Sequence, residues 1–347
     1  MNASNSTAPT LNFDRLRRIQ TTLTRRARER DRGNIRAVGF APGQAEPREA
    51  VGSANLPITA QFDVQRMLPN VVAAQRIEPI EAVRVLDRQS RHYLQLALAT
   101  DVMPTGEIVP TGVRIDSDSQ FATTSTVVRW TTSLPVPGVP TAFGSEDPRW
   151  RWGLLSVAHL FGSDASQPAP AGVERQLTCG QGPDRIAGRV VARGRAVGGP
   201  DISLIETGLD RLWLSGMLNK PEAPNIVPAE ELQLLRWITH GTDGIFLGDG
   251  VQHGWRWQTY YPELAIEGLG KLQHVVRYEA LEAAADSDPF GPGSSGGLLL
   301  AGGIPIGIQV AAMRPGYRVG FAQTFDASLV WLQKQLRATA LHIVHAL

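Results

Sequence analysis

A chain of 347 residues with 42% apolar side chains is long enough for two or three domain-sized units around a large buried core. Its formal net charge of +1 gives the whole molecule no electrostatic bias toward nucleic acid or membrane surfaces, and no run reaches the roughly 18 apolar residues of a membrane span. A single cysteine, Cys179, excludes an internal disulfide framework, and with no apolar signal segment at the start a cytoplasmic location is expected.

Residues 1–10 are small and polar, as disordered segments are. From Leu11 to Arg32, "LNFDRLRRIQTTLTRRARERDR" carries Leu16, Ile19 and Leu23 at spacings of three and four, which predicts a helix. Residues 1–36 hold nine arginines against three acids, a basic arm of about +6. Its charge would suit RNA, anionic lipid or an acidic partner. The favoured expectation is a solvated helix that lays a narrow apolar stripe on its own protein. Residues 37–119 read as a small α/β accessory domain. "IRAVGFA" and "LPITAQFDV" have strand composition, "HYLQLALATDV" alternates like a half-buried strand, and "VVAAQRIEPIEAVRVL" fits either element. No chemical motif occurs there, so docking a regulatory partner through residues 1–119, or packing alone, is what this part offers.

From residue 120 to 347 the texture is β. "FATTSTVVRWTT", "WGLLSVAHLF", "RIAGRVVARGRAV", "ISLIET", "DGIFLG", "WRWQTYY", "KLQHVVRYEAL", "GGLLLAG", "IPIGIQVAA" and "RVGFAQTF" recur between Gly/Pro turns, which predicts a sandwich or barrel. Two helices interrupt them: "PAEELQLLRWI", with Pro228 at its first turn, and the terminal "ASLVWLQKQLRATALHIVHAL". No repeat of 20–50 residues is present, which sets aside propellers and solenoids.

One stretch asks for chemistry: "DPFGPGSSGGLLLAGGIPIGIQV", residues 288–310. A turn needs no serine pair. A nucleophilic serine needs a base, a partner that fixes the base's tautomer, and backbone amides aimed at a developing oxyanion. "GSSGG" offers such a turn, in which the amides of Gly293 and Ser295 would converge. Of the seven histidines, His159 stands where the apolar strand "LLSVAH" breaks into a loop. Asp201 in "GGPDISLIET" leads into another apolar strand, whereas most other acids lie in charged or Gly/Pro stretches. His92, His240, His253, His274, His342 and His345 have no comparable setting.

These three blocks, "LLSVAHLF", "PDISLI" and "GPGSSGGLLL…GIPIGIQV", resemble in order the signature blocks of the chymotrypsin-like (trypsin-fold) serine peptidases. Separations of 42 residues from His159 to Asp201 and 94 from Asp201 to Ser295 suit one small barrel followed by another. The resemblance spans residues 120–347 and implies a mostly β fold of two antiparallel six-stranded barrels, closed by a C-terminal helix at "FDASLVWLQKQL". It implies a serine endopeptidase with Ser295 as nucleophile, His159 as general base and then acid, and Asp201 as orienting carboxylate. Gly293 and Ser295 would form the oxyanion hole, Val310, Ala311 and Ala312 the edge that pairs with an extended peptide, and no metal or other cofactor is needed. Asp286 or Asp288 would favour a basic substrate residue, and Gly320 would leave the primary pocket open.

Two positions depart from the secreted digestive members: Ser294 replaces the aspartate that pairs with a newly freed amino terminus, and Leu160 replaces a cysteine. Intracellular bacterial and viral relatives share both features, so the expected substrate is a protein or peptide inside the cell. Two other readings stay open. "GSSGG" also satisfies the nucleophile elbow of α/β-hydrolases, with Asp326 and His342 following in order, but that elbow needs a helix after its serine. The other is a catalytically silent trypsin-fold module that binds peptides.

Overall fold

The computed structural model describes residues 11–30, 33–43, 54–68, 76–86, 91–110, 126–133, 149–161, 174–178, 185–194, 199–208, 225–248, 251–281 and 288–344. The disorder expected for residues 1–10, Cys179, Asp286, His345 and the boundary expected at 119/120 fall outside these residues.

The chain opens with helix α1 (Phe13–Arg30), then β1 (Ile35–Pro42), β2 (Ala54–Val64), β3 (Ile80–Leu86), β4 (Tyr93–Pro104) and the short β5 (Glu107–Pro110). Next come β6 (Thr126–Thr131), β7 (Arg151–Ser156), a 3₁₀ turn at His159–Phe161, β8 (Glu174–Thr178), β9 (Arg185–Arg193) and β10 (Ser203–Thr207). The last part holds β11 (Asn225–Ile226), α2 (Glu231–His240), β12 (Asp243–Gly248), β13 (Val251–Ile266), β14 (Gly270–Ala280), β15 (Leu298–Ala301), β16 (Ile304–Arg314), β17 (Val319–Thr324), α3 (Phe325–Leu336) and β18 (Ala340–Val344). The fold is mostly β, with few helices and one of them near the C-terminal end.

Two sheets contain all of these strands. Seven strands run β11-β18-β6-β7-β10-β9-β8. In the larger sheet, β12, β15, β16, β17, β14 and β13 pair antiparallel in sequence, and β12 pairs again with β13, so the pairing returns to its start. The same sheet continues through β1, β2, β4 and β3, and β5 pairs with β16. The N-terminal strands are thus hydrogen-bonded into the sheet that carries the GSSGG turn.

The stripe read from the sequence is the one that α1 buries. Leu16, Ile19, Leu23 and Ala27 are all buried in one core with Val38, Phe40 and Tyr260. Buried Gln20 locks the helix down: Nε2 donates to the carbonyls of Val38 and Glu263 (both 2.7 Å), and the Glu263 amide donates back to Oε1 (3.0 Å). On the outer side, Arg26 and Arg30 reach Glu81 of β3. A second core joins the two sheets, with Val128, Trp130, Leu155 and Leu204 from one packed with Leu298, Ile308, Val310 and Phe321 from the other. Burial of such side chains contributes roughly 1.5–3 kcal/mol each relative to exposure, which holds the two sheets together.

The terminal helix expected over "ASLVWLQKQLRATALHIVHAL" is only partly helical. It stops at Leu336, Arg337 turns into the left-handed region (φ 52°), and Ala340–Val344 form β18 against β6, with His342 opposite Arg129. The edge of β6 was available, and backbone pairing there outweighed the helical spacing of the apolar residues. The ambiguous "IEAVRVL" is strand β3, its side chains alternating exposed and buried.

Candidate active site

β7 and β10 pair with Ser156 opposite Ser203. His159 lies three residues past one partner and Asp201 two before the other, so pairing brings both to one end of the sheet. The Asp201 carboxylate, fully buried, accepts the His159 backbone amide at Oδ1 (2.9 Å) and meets His159 Nδ1 at Oδ2 (2.5 Å). In the neutral ring that contact makes Nδ1 the protonated nitrogen and leaves the lone pair on Nε2. Nε2 is buried and has no hydrogen-bond partner among the described residues. His342 Nδ1 and the indole nitrogens of Trp255 and Trp257 share that condition, so it is the pairing with Asp201 that sets His159 apart.

Two glutamines missed by sequence reasoning support this end of the molecule. Gln323 of β17 accepts the Asp201 amide at Oε1 (2.8 Å) and donates from Nε2 to the Gln273 carbonyl (3.1 Å), which ties the Asp201 backbone to strands of the larger sheet. Gln309 of β16 donates to Ser294 Oγ (2.5 Å) and to the Phe290 carbonyl (3.3 Å), and its Oε1 accepts the Tyr278 hydroxyl (2.7 Å). Ser294 Oγ in turn donates to the Gly291 carbonyl (2.6 Å). Ser294 is thus held inside the turn by neutral partners alone. The signal was present in "IGIQVAA" and "GFAQTF", each of which puts one glutamine among apolar strand residues.

The turn itself is built from successive backbone bonds: Gly291 to Asp288 (3.0 Å), Ser294 to Gly291 (3.1 Å) and Gly297 to Ser294 (2.9 Å). Gly293 and Gly296 take φ of 97° and 91°, which side chains with a Cβ rarely adopt. Ser295 lies between these two glycines and is fully buried, and strand β15, not a helix, comes after the turn. Its hydroxyl donates to the Val310 carbonyl (3.3 Å), so the bond from Ser295 to His159 Nε2 is not made in this state.

The edge residues Val310, Ala311 and Ala312 are buried, and Ala311 and Ala312 are already paired with Pro110 and Val109. Asp288 is an exposed loop acid. At Gly320 a Cβ would lie 2.4–2.6 Å from Tyr278 ring atoms and hydroxyl, which requires a residue without one. The residues of the elbow reading are occupied elsewhere. Asp326 faces His274 Nδ1 (3.4 Å), and His342 stacks near Trp150, where burial first and Arg129 second push its pKa down. Among the described residues no group of His, Cys, Asp and Glu could hold a metal ion.

No family description matches this sequence, and no curated protein does. Among solved structures, the chain is similar to Thermobifida fusca Protease A at 12% identity, over 70% of this chain and 98% of that one, with a TM-score of 0.39. It is similar to the active form of the Rv3671c protease from M. tuberculosis at 18% identity, over 62% and 82%, with a TM-score of 0.35. A chymotrypsin from Cellulomonas bogoriensis is 14% identical over 65% of this chain and 99% of its own, with a TM-score of 0.32. At such identities these likenesses assign no role to any residue of this chain.

Proposed function

We propose that this chain is a trypsin-fold serine endopeptidase whose reaction is carried by His159, Asp201 and Ser295 within residues 120–347. The observation that carries the reading is the buried His159–Asp201 pair, its Nε2 left without a partner, at the junction of the two sheets. Ser295 Oγ would turn from the Val310 carbonyl to Nε2, give up its proton there and attack the carbonyl carbon of a peptide bond. The Gly293 and Ser295 amides would hold the oxyanion of the tetrahedral intermediate. His159 would pass the proton to the leaving amine, and water activated by the same nitrogen would release the acyl-enzyme. Asp201, already accepting two bonds from His159, keeps the tautomer and stabilises the imidazolium. The chemistry uses protein groups alone. A protein inside the cell is the substrate class that fits a chain with a single cysteine, and the cytoplasm is the compartment we propose.

One observation favours a second reading. The Ser295 hydroxyl satisfied by Val310 is what a catalytically silent peptide-binding relative would also display. A fluorophosphonate probe, which reacts only with an activated serine, separates the two. Labelling of the full chain that disappears in Ser295→Ala and His159→Ala and persists in His342→Ala is expected of the peptidase. Absence of labelling in every form, including those with the site opened as described next, would favour the silent module.

A further inference from the structure

β16 presents one edge to a succession of partners. Ile308 pairs with Leu298 of β15, the Gln309 backbone exchanges bonds with Gly296 and Gly297 (both 2.8 Å), and the Val310 carbonyl accepts the Ser295 hydroxyl. The very next residue, Ala311, pairs with Pro110 of β5, followed by Ala312 with Val109, Met313 with Ile108 and Arg314 with Glu107. β5 therefore runs antiparallel along the edge just beyond the nucleophile turn, its C-terminal end nearest Ser295. An extended peptide presenting a carbonyl to Ser295 would add to this edge in the same direction.

We propose that β5 is a built-in occupant of the peptide-docking edge, and that it keeps the site closed until it is displaced. The proposal rests on the reading of Ser295 and of the β16 edge given above. Three further features suit a docked strand rather than a passing one. Ile108 is buried in the core shared by the two sheets. Gly106 lies so close to β16 that a Cβ would come 2.2 Å from the Arg314 carbonyl oxygen, so only glycine permits this approach. Behind it, Thr105 is held by its amide to the Val64 carbonyl (2.8 Å) and by its hydroxyl to Arg277 (3.4 Å), which makes the N-terminal strands the anchor of the plug. With β5 in place Ser295 is 0% exposed. A partner that pulled on the N-terminal strands would have a mechanical route to the site.

The test uses the full chain with Ile108→Asp, which expels the buried side chain, and separately Gly106→Ala, which forces the backbones apart. Circular dichroism confirms folding of each. Closed two-state elements hold the open form at roughly 0.1–10%, so opening should raise the fluorophosphonate labelling rate by on the order of tenfold or more, with Ser295→Ala abolishing it. In parallel, a fluorescein-labelled, end-capped peptide of residues 105–110 is titrated into Ser295→Ala chains with and without Ile108→Asp. It should bind the opened chain and not the closed one. Equal labelling of all forms, with no peptide binding to the opened chain, overturns the plug and leaves the peptidase standing. Peptide binding to the opened chain with no labelling anywhere upholds the plug and overturns the peptidase.

Discussion

Arg277→Met probes whether the N-terminal strands belong to the same folding unit as the candidate site. Asp63 of β2 and Arg277 of β14 form an ion pair (3.3 Å) with only 1% and 3% of their side chains exposed. The carboxylate also accepts the Tyr261 hydroxyl (2.6 Å) and Gln61 Nε2 (3.1 Å), and Thr259 holds Gln61 in turn (2.8 Å). Removing the cation leaves a buried carboxylate with two neutral donors. Breaking a buried pair from one side costs about 3–5 kcal/mol, against about 1 kcal/mol for an ordinary hydrogen bond, so the ion-pair cost dominates. Burial already pushes the Asp63 carboxyl above its usual range despite the opposing pull of Arg277. A carboxyl with a raised folded pKa weakens the fold above that pKa and stops doing so as pH falls through it. Arg277→Met raises it further, so the deficit against wild type is greatest near neutral pH and shrinks on acidification. Urea unfolding followed by tryptophan fluorescence at pH 7 and at lower pH measures this, since Trp255 and Trp257 are buried in the adjoining core. Arg277→Met with Asp63→Leu should recover most of the loss, because an apolar pair can replace an ionic one at little cost. A loss near 1 kcal/mol that is independent of pH and not rescued would refute the reasoning. The same pair explains why deleting residues 1–110 is a poor activation experiment: it would strand Arg277 without its carboxylate.

The other expectations are briefer. On the proposed reading, Asp201→Asn should lower turnover by roughly 10³–10⁴-fold in steady-state kinetics with the fold intact, the scale set by losing the correct His159 tautomer. Gln323→Ala leaves the buried Asp201 amide without its acceptor; a cost of about 1–3 kcal/mol by urea titration and a drop in turnover of up to about 100-fold are expected, with KM little changed. Gly320→Ala drives a Cβ into the Tyr278 ring and should destabilise by about 1–3 kcal/mol, read from the same titration. His342, whose pKa is lowered, binds its proton more readily unfolded than folded, so wild type should lose stability relative to His342→Phe as pH falls through 6.5. Parallel pH profiles for the two would count against that burial.

What the sequence determined by itself was local. The spacing of Leu16, Ile19 and Leu23 encodes α1, the composition of IRAVGFA and LPITAQFDV encodes β1 and β2, and the glycines of GSSGG encode a corner that other residues resist, because each depends on neighbours a few positions apart. The setting of His159 and Asp201 at strand boundaries was legible for the same reason: a strand that ends in a polar residue shows its apolar run and its break. Tertiary structure decided which edges met. β18 left the helical pattern because β6 had an edge to pair. The N-terminal strands joined β13 instead of closing on themselves, and Gln309 and Gln323 found partners in other strands. β5 is the clearest case, since "EIVP" carries no local mark of its destination and pairs with residues about 200 positions away. Backbone hydrogen bonding between edges is indifferent to sequence, so register and partner follow from which apolar faces are buried together.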